Sequence, residues 1–290
     1  MKDHLLRLAT QDGTLRAAAA VTTDLVEAIR LRQGTDPTAT VALGRLVSGA
    51  AVMGSLLKGS QRLALIVEGN GPLQKLHAET DALGQLRGSV KVPVSGIAPT
   101  PAGFDVPAAV GRAGFLHVAK DLGLKEPYRG MVQLHSSEIA EDLAYYLTSS
   151  EQVPSTVALG VYLEQDGRVS AAGGLLVQAL PEGEEALVSL LENRLIKLPP
   201  LTSLLREGQG PEQILQQLFA GIALGKMERT PLVFRCTCSR PQVTGMLASL
   251  GRQELLELAS KDDPTVVTCE FCKERYSFDE TELRSLSEKA

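Results

Sequence analysis

The sequence predicts an α+β protein with a large N-terminal domain of antiparallel sheet and helices, a helical linker and a small C-terminal zinc-binding module. Short apolar runs separated by turn residues dominate 1–180, apolar residues at helical spacing dominate 181–229, and all four cysteines lie in 230–290. Closely spaced strands favour antiparallel pairing, and paired cysteines are typical of structural zinc sites. We therefore predict domain boundaries near residues 180 and 229.

Composition and charge narrow the class of protein. The 290 residues carry a net charge of −5 with a pI near 5.5, which gives no electrostatic reason to expect a nucleic-acid partner. No apolar run reaches the roughly 20 residues that a membrane span requires, so no membrane partner is expected. The N-terminal stretch MKDHLLRLATQDG is charged and lacks the apolar core of a signal peptide, which predicts a cytoplasmic protein with reduced thiols.

The N-terminal segment is expected to form a hairpin followed by two helices. Residues 5–10 and 14–21 flank an Asp-Gly dipeptide, which favours a tight primed turn between two strands. A short helix is predicted over 24–32. Residues 38–59 combine apolar positions at helical spacing with many small residues, and this pattern predicts a central buried helix that neighbouring backbones approach closely.

The next segment changes to short strands and turns, which predicts an antiparallel meander. The glycine-rich GNGP at 69–72 precedes neither G-K-[ST] nor a helix, so a turn is favoured over a phosphate-binding loop. Gly173 and Gly174 lie inside a predicted strand and indicate a bulge or a close backbone contact. The predicted strands are 63–69, 73–80, 85–92, 115–123, 128–136, 156–164 and 168–180, with a loop over 93–113 and a helix over 138–148.

Residues 181–229 predict two amphipathic helices. Pro181-Glu182-Gly183 begins the first, whose leucines continue at helical spacing as far as Pro199-Pro200. Pro211 fits the first turn of the second. Because amphipathic helices owe most of their stability to packing, their apolar faces should dock on another part of the protein.

The cysteines form two short-range pairs. Cys236 and Cys238 are a C-x-C pair, and Cys269 and Cys272 are a C-x-x-C pair. Each pair can occupy one edge of a tetrahedron, so the sequence predicts a Zn(Cys)4 site with one Zn²⁺ per chain. A reducing cytosol favours zinc over permanent disulfides.

The cysteine module should contain two short helices over 242–258, broken at Gly251, and a strand–knuckle–strand unit over 265–279. Zinc with four thiolates carries a formal charge of −2, which nearby cations are expected to offset. These cations are Arg235, Arg240, Lys273 and Arg275.

Loss of the metal is expected to unfold this module. A unit of about 60 residues has little core of its own, and structural zinc contributes on the order of 10–16 kcal/mol to such folds. An oxidant could convert the thiols to disulfides through a sulfenic acid. Of the three possible connectivities, closeness in sequence favours Cys236–Cys238 and Cys269–Cys272, whose small loops would not replace the constraint that zinc provides. Spacing alone favours a purely structural knuckle over such a switch.

Catalytic sites find no support in the sequence, and we expect no enzyme activity. Four thiolate ligands leave no open position on zinc for a substrate. Ser155 lies in no G-x-S-x-G context. The histidines are scattered and form no H-x-x-x-H pair, so they are not expected to bind metal: His4, His77, His117 and His135.

Two functions are considered for a zinc module of this kind. A zinc ribbon that binds nucleic acid would require a basic face, which the net charge of −5 does not favour. A thiol oxidoreductase would use Cys269 and Cys272 at the start of a helix in a βαβ unit, whereas this C-x-x-C lies between strand-like runs.

Over essentially its whole length, the chain resembles the bacterial 33 kDa chaperonin family of redox-regulated heat-shock holdases. No departure from the family pattern is seen in the metal ligands. The segments that carry the resemblance are C-x-C-S at 236–239, TCEFC at 268–272, SSEQVPS at 149–155, AGGLLVQ at 172–178 and GNGPLQKLHAE at 69–79.

The resemblance implies an ATP-independent chaperone that is inactive when reduced and zinc-bound. It further implies that peroxide or hypochlorite, together with unfolding stress, forms the neighbouring disulfides Cys236–Cys238 and Cys269–Cys272 and releases zinc. The module and linker would then unfold and expose apolar surface that binds unfolding or oxidatively damaged client proteins. Oxidised molecules of such proteins form homodimers.

Overall fold

A long buried helix lies at the centre of the N-terminal unit in the computed structural model, which describes residues 1–101, 103–180 and 185–288. This unit comprises Met1–Arg235, and a second compact unit comprises Cys236–Ala290. The strands of the first unit are β1 (His4–Ala9), β2 (Leu15–Val21), β3 (Arg62–Gly69), β4 (Lys75–Asp81), β5 (Gln85–Val90), β6 (Gly114–Asp121), β7 (Tyr128–Gln133), β8 (Ser155–Leu163), β9 (Val169–Ala179), β10 (Glu228–Pro231) and β11 (Val233–Phe234). Its helices are α1 (Thr23–Gln33), α2 (Pro37–Gly54), α3 (Val106–Val110), α4 (Ala140–Ser149), α5 (Glu185–Lys197), α6 (Leu201–Arg206) and α7 (Pro211–Leu218).

Helix α2 is the predicted central helix, and nearly all of its residues are buried. Asp36 caps its N-terminus, since Asp36 Oδ1 accepts a hydrogen bond of 2.8 Å from the Ala39 amide, and Pro37 occupies the first turn. The helix ends at Gly54, earlier than the predicted residue 59. It packs on strands of both large sheets, so its alanines and glycines allow two layers to approach it at once.

The two large sheets confirm the predicted α+β class. The first has the order β10-β1-β2-β9-β8, and the second has the order β11-β5-β4-β3-β6-β7. All pairings within them are antiparallel except that of β11 with β5. The predicted meander is present as β3, β4 and β5, where buried and partly exposed residues alternate.

Both faces of the five-stranded sheet are covered. Leu5, Ala18 and Leu176 belong to the core around α2, whereas their neighbours Leu6, Ala17 and Leu175 pack against the helices after residue 184. Because successive side chains of a strand point to opposite faces, a sheet covered twice reads as continuous apolar sequence. This explains the run of alanines in β2.

The turn predicted between β1 and β2 is wrong in detail. A two-residue primed turn requires positive φ at both central residues (type I′) or at the first (type II′), but of Asp12 and Gly13 only Gly13 has a positive φ, 72°. The connection is a longer loop from Thr10 to Thr14. Asp12 Oδ1 accepts a hydrogen bond of 3.0 Å from the Thr14 amide and stabilises this loop.

The predicted close contact at Gly173 is confirmed. A Cβ atom at this position would lie 2.4 Å from the Ala20 carbonyl oxygen on β2. The bulge offered as an alternative does not occur there, since the register shift between β8 and β9 lies at Tyr162/Leu163.

The helices after residue 184 correspond to the predicted linker, which contains three helices instead of two. The predicted start at residues 181–183 lies outside the described residues. Strands β10 and β11, which follow the helices, pair with β1 and β5 and so belong to the first unit. The division into three domains at residues 180 and 229 stays a prediction.

The second unit has the elements predicted for the cysteine module and one more. The predicted pair of helices is α8 (Arg240–Ala248) and α9 (Arg252–Ala259), and the strands β12 (Thr265–Thr268) and β13 (Arg275–Phe278) form an antiparallel hairpin. The additional element is α10 (Glu280–Ser287), which Asp279 and Glu282 begin with a capping box.

The first unit also contains a helix that was not predicted, α3, inside the predicted loop 93–113. Among the described residues, every helix is too short or too polar to cross a lipid bilayer.

Candidate metal centre

The C-x-C pair lies immediately before α8. Ser239, the residue after Cys238, has extended backbone angles, and Pro241 lies in the first turn of the helix. Proline fits this position because it has no amide hydrogen to leave unpaired. The extended segment that contains Cys236 and Cys238 therefore ends at Ser239, where α8 begins.

The C-x-x-C pair forms the turn between β12 and β13. The Cys269 amide donates to the Glu274 carbonyl at 2.9 Å, and the Lys273 amide donates to the Cys269 carbonyl at 3.0 Å. Lys273 has a φ of 61°, which is uncommon for a residue other than glycine. These bonds and this left-handed residue close the knuckle and turn both sulfurs to the same side.

The fold brings the four predicted ligands together. Their Sγ atoms all lie within 4.8 Å of one another. Cys236 Sγ lies 3.7 Å from Cys269 Sγ, and Cys238 Sγ lies 3.3 Å from Cys272 Sγ. Four sulfurs bound to one Zn²⁺ at about 2.3 Å would lie roughly 3.8 Å apart. The cluster therefore fits a tetrahedral metal ion held by the two pairs, and an all-sulfur donor set is typical of structural zinc.

The thiols differ in acidity. Burial raises the pKa of Cys236, but the Cys238 amide and the neighbouring thiols outweigh it by hydrogen bonding and lower the pKa to about 7. Burial, together with the neighbouring sulfurs, raises the pKa of Cys272 to about 12. Sulfurs this close cannot all ionise without a compensating charge, which a divalent cation would supply.

Tyr276 contacts the sulfur cluster and was not predicted. Its hydroxyl donates a hydrogen bond of 3.2 Å to Cys238 Sγ, and this bond raises the pKa of the phenol. The residue lies on β13, opposite Val267. A tyrosine four residues after the last cysteine, on a predicted returning strand, was a signal that could have identified it.

Two of the four cations predicted to offset the thiolate charge make contacts with other groups. Arg240 forms an ion pair with Glu282, and its guanidinium lies 4.4 Å from the centre of the Phe278 ring. Arg235 belongs to the first unit, where its amide donates to the Leu86 carbonyl. Lys273 and Arg275 are exposed. The Tyr276 hydroxyl, by contrast, is a side-chain donor to the sulfurs from outside the cysteines.

The module has a small core. Its buried apolar residues come from the three helices and β13, and they are Val243, Leu247, Leu255, Ala259, Phe278 and Leu283. A core of this size gives little stability by itself, so a cross-link at the sulfurs would contribute a large share.

The other candidates considered from the sequence lie in the first unit. His77 Nε2 lies 3.1 Å from Glu79 Oε1, and the His135 ring stacks on Tyr145. Ser155 Oγ donates to the Val153 carbonyl at 2.7 Å. These contacts are those of surface and strand residues. The C-x-x-C lies in a β-turn between two strands, not at the start of a helix as a thioredoxin-like oxidoreductase would require.

Comparison with known proteins agrees with this architecture. The family model described as "Hsp33 protein" matches residues 3–279. The chain belongs to the Hsp33 family. The 33 kDa chaperonin of Syntrophotalea carbinolica is 78% identical, with 99% of each chain covered. That of Geobacter sulfurreducens is 50% identical, over 98% of this chain and 94% of the relative.

An Hsp33 crystal structure shows the same fold. The 33 kDa chaperonin of Thermotoga maritima superimposes with a TM-score of 0.91 at 36% sequence identity, covering 99% of this chain and 98% of that one. The resemblance read from the sequence motifs is thereby confirmed. At the level of the family, the protein is a chaperone of the Hsp33 type.

Proposed function

We propose that this protein is a redox-regulated, ATP-independent holdase of the cytoplasm, without enzyme activity. In the reduced state, Cys236, Cys238, Cys269 and Cys272 hold one Zn²⁺ and the protein is inactive. Oxidation to Cys236–Cys238 and Cys269–Cys272 removes the thiolate ligands. The unit that they cross-link then unfolds together with the linker helices, and the exposed apolar surface binds unfolding proteins.

The observation that carries this proposal is the apolar interface beneath the linker helices. Leu215 and Leu218 of α7 and the adjoining Phe219 are at most 2% exposed. They pack against one face of the five-stranded sheet, to which β1, β2 and β9 contribute leucine, alanine and valine side chains. Undocking of these short helices would uncover a broad apolar sheet face, a surface that suits non-polar segments of unfolded chains.

The linker helices have little stability of their own, which supports their role as a removable cover. Helices shorter than about 12 residues are marginal in water without tertiary packing. α6 and α7 have 6 and 8 residues. Their folded state depends on docking, so undocking and unfolding should occur together.

Peroxide can convert each pair of thiols to a disulfide in two steps. One thiolate of each pair attacks peroxide, forms a sulfenic acid and releases water or hydroxide. The second thiol of the pair displaces the sulfenic oxygen as water, so that one S–S bond forms for each peroxide reduced. A disulfide sulfur has lost the thiolate charge that metal binding needs, and both pairs therefore lose their affinity for zinc.

The pairing of the disulfides decides whether the module can unfold. Bridges within each pair close very small loops and leave the ends of the module free. Bridges between the pairs, for example from Cys236 to Cys269 and from Cys238 to Cys272, whose sulfurs lie 3.7 and 3.3 Å apart, would keep the module cross-linked. We propose the bridges within pairs, in agreement with the sequence spacing, and disulfide mapping tests this choice.

A chaperone assay with simultaneous zinc detection tests the proposed function. Reduced and peroxide-treated protein are each added to a heat-denaturing client, while light scattering and zinc release to a chromogenic chelator are followed. We expect suppression of aggregation only after oxidation at elevated temperature, with one zinc lost per chain and a shift to homodimer in size-exclusion chromatography. Equal suppression in both states with zinc retained would leave a structural zinc knuckle and contradict the redox switch.

A further inference from the structure

A basic cleft lies in the first unit at the C-terminal end of α2. It has a volume of about 270 Å³ and is formed by β1, β2 and β9, the residues just after α2 and the chain leading into β10. Its charged lining residues are Arg7, Arg16, Lys58, Lys226 and Glu228. At about 30 Å³ per water, this volume corresponds to about nine water molecules.

The cleft is positive in a chain whose net charge is −5. Four cationic side chains against one carboxylate give it a formal charge of +3. Glu228 is already engaged, because Arg7 Nε donates to Glu228 Oε2 at 2.8 Å. Among the described residues, the remaining three cations form no ion pair, although Glu151 attracts Arg16 and Glu228 attracts Lys226 at longer range.

Arg16 is the most enclosed of these three cations. It projects from β2 and is half-buried, and burial lowers the pKa of its guanidinium. Its Nε donates to Gln178 Oε1 at 2.8 Å, which orients the planar group. Among the described residues, neither Nη atom has a hydrogen-bond partner. A half-buried guanidinium that is oriented by one hydrogen bond and keeps its other donors open can bind an anion through charge-assisted hydrogen bonds.

The C-terminus of α2 does not account for this charge. The last carbonyls of the helix are already hydrogen-bonded: Val52 O accepts from Ser55, Met53 O from Leu56 and Gly54 O from Leu57. Arg7 Nη1 donates to the next carbonyl, that of Ser55, at 3.1 Å. A helix C-terminus is equivalent to about half a negative charge, far less than the three unbalanced cations.

We propose that this cleft binds a compact phosphate-bearing anion, with Arg16 as the oriented donor and Lys58 and Lys226 as charges at its rim. A planar guanidinium matches two oxygens of a phosphate, and lysines act as point charges toward the same group. A site charge of +3 suits a phosphate or diphosphate, which carries two or more negative charges, better than a single carboxylate. The bound anion would tie the chain before β10 to β1 and β2.

Calorimetric titration of the reduced, zinc-loaded full-length protein tests this site. Sodium pyrophosphate is the probe, with orthophosphate, citrate and sulfate in parallel arms at constant ionic strength. The variants are Arg16→Gln and the double variant Lys58→Gln/Lys226→Gln. Arg129→Gln, an exposed arginine of β7 outside the cleft, is the matched control.

We expect one saturable pyrophosphate site, weaker binding of orthophosphate, and a melting temperature that rises with pyrophosphate concentration. Arg16→Gln and Lys58→Gln/Lys226→Gln should each weaken binding by about tenfold or more, while Arg129→Gln binds as the wild type does. The double variant guards against misfolding, since both lysines are exposed and no side-chain bond is recorded for them. No saturable binding, affinities that match the control, or citrate binding as tightly as pyrophosphate would each overturn the proposal.

Discussion

Tyr276 is a residue outside the cysteine motifs that contacts the sulfur cluster. Its hydroxyl is held 3.2 Å from Cys238 Sγ by the strand that returns from the knuckle. A hydrogen bond to an ionised sulfur is charge-assisted and stabilises the thiolate form that binds metal.

Tyr276→Phe should therefore lower the affinity for zinc by about tenfold, since residues that support metal ligands typically contribute 10- to 100-fold. The measurement is competition for zinc with a chromogenic chelator at fixed pH. Tyr145→Phe, which removes an exposed hydroxyl from α4, is the control and should bind zinc as the wild type does. Equal zinc affinities in the two variants would show that the hydrogen bond is unimportant.

Asp3 is a second residue whose role the sequence did not reveal. Thr22, the N-cap of α1, forms no side-chain cap, and the amides of Asp24 and Leu25 instead donate to the Asp3 carboxylate at 3.2 and 2.7 Å. Burial raises the pKa of Asp3 from 3.8 to about 6, although these two amides lower it. The folded state therefore holds a proton on Asp3 more tightly than the unfolded state.

The raised pKa of Asp3 determines how the unfolding free energy depends on pH. The contribution of the Asp3 proton to stability is fully present below pH 3.8 and is lost as the pH rises through about 6. Relative to Asp3→Asn, which does not titrate, the wild type should lose on the order of 3 kcal/mol of unfolding free energy over this range. Urea unfolding of the first unit at several pH values measures the difference. Asp262→Asn, at an exposed site, should run parallel to the wild type; a parallel Asp3→Asn curve would contradict the raised pKa.

At the scale of the element, docking decides the state of the linker. Helix α7 has an apolar face at helical spacing, and Leu215 on that face is 0% exposed against the five-stranded sheet. By contrast, Ile196 near the end of α5 is 82% exposed. Two large aliphatic side chains of the linker helices are thus buried in one case and exposed to solvent in the other.

Leu215→Ala should weaken linker docking by about 2–5 kcal/mol, the usual cost of truncating a buried leucine. If the covered sheet face binds clients, the reduced, zinc-bound variant should suppress aggregation that the reduced wild type does not. Light scattering of a heat-denaturing client, with binding of an apolar dye, measures both effects. Ile196→Ala should match the wild type, and a reduced Leu215→Ala protein without chaperone activity would argue against this surface.

At the scale of the whole molecule, the two units differ in what holds them together. The first unit has a large core around α2 between two sheets, whereas Cys236–Ala290 has a small core beside four sulfurs. Structural zinc contributes on the order of 10–16 kcal/mol to modules of this size, which exceeds what so small a core supplies.

Removal of zinc from the reduced protein should therefore unfold the second unit and leave the core of the first intact. Amide signals in a heteronuclear NMR spectrum report each unit separately after addition of a strong chelator. Signals of residues 236–288 should collapse to the unfolded region, while those of α2 and its sheets persist. Restored signals after zinc is added back provide the control. A second unit that keeps its dispersed spectrum without metal would contradict zinc-dependent folding.

Local sequence patterns predicted many of the secondary-structure elements and the cysteine cluster of this protein. Short apolar runs separated by turn residues predicted β3 to β5, and a small-residue helical pattern predicted α2. The two cysteine pairs predicted the cluster of four sulfurs. Each of these signals lies within a few neighbouring residues. The motifs also sufficed to identify the family. Short elements were less visible: α3 lay in a proline-rich stretch read as a loop, and α10 followed the last motif.

Contacts between residues far apart in sequence were decided only by the tertiary structure. No local pattern distinguishes a leucine that faces α2 from one that faces the linker, since both faces of the sheet are apolar. Strand register and topology decide three such contacts. They are the capping of α1 by Asp3, the hydrogen bond from Tyr276 to Cys238, and the convergence of Arg16 with Lys58 and Lys226. The amino-acid sequence determines which chemical groups are present, and the packing of strands and helices decides which of them come into contact.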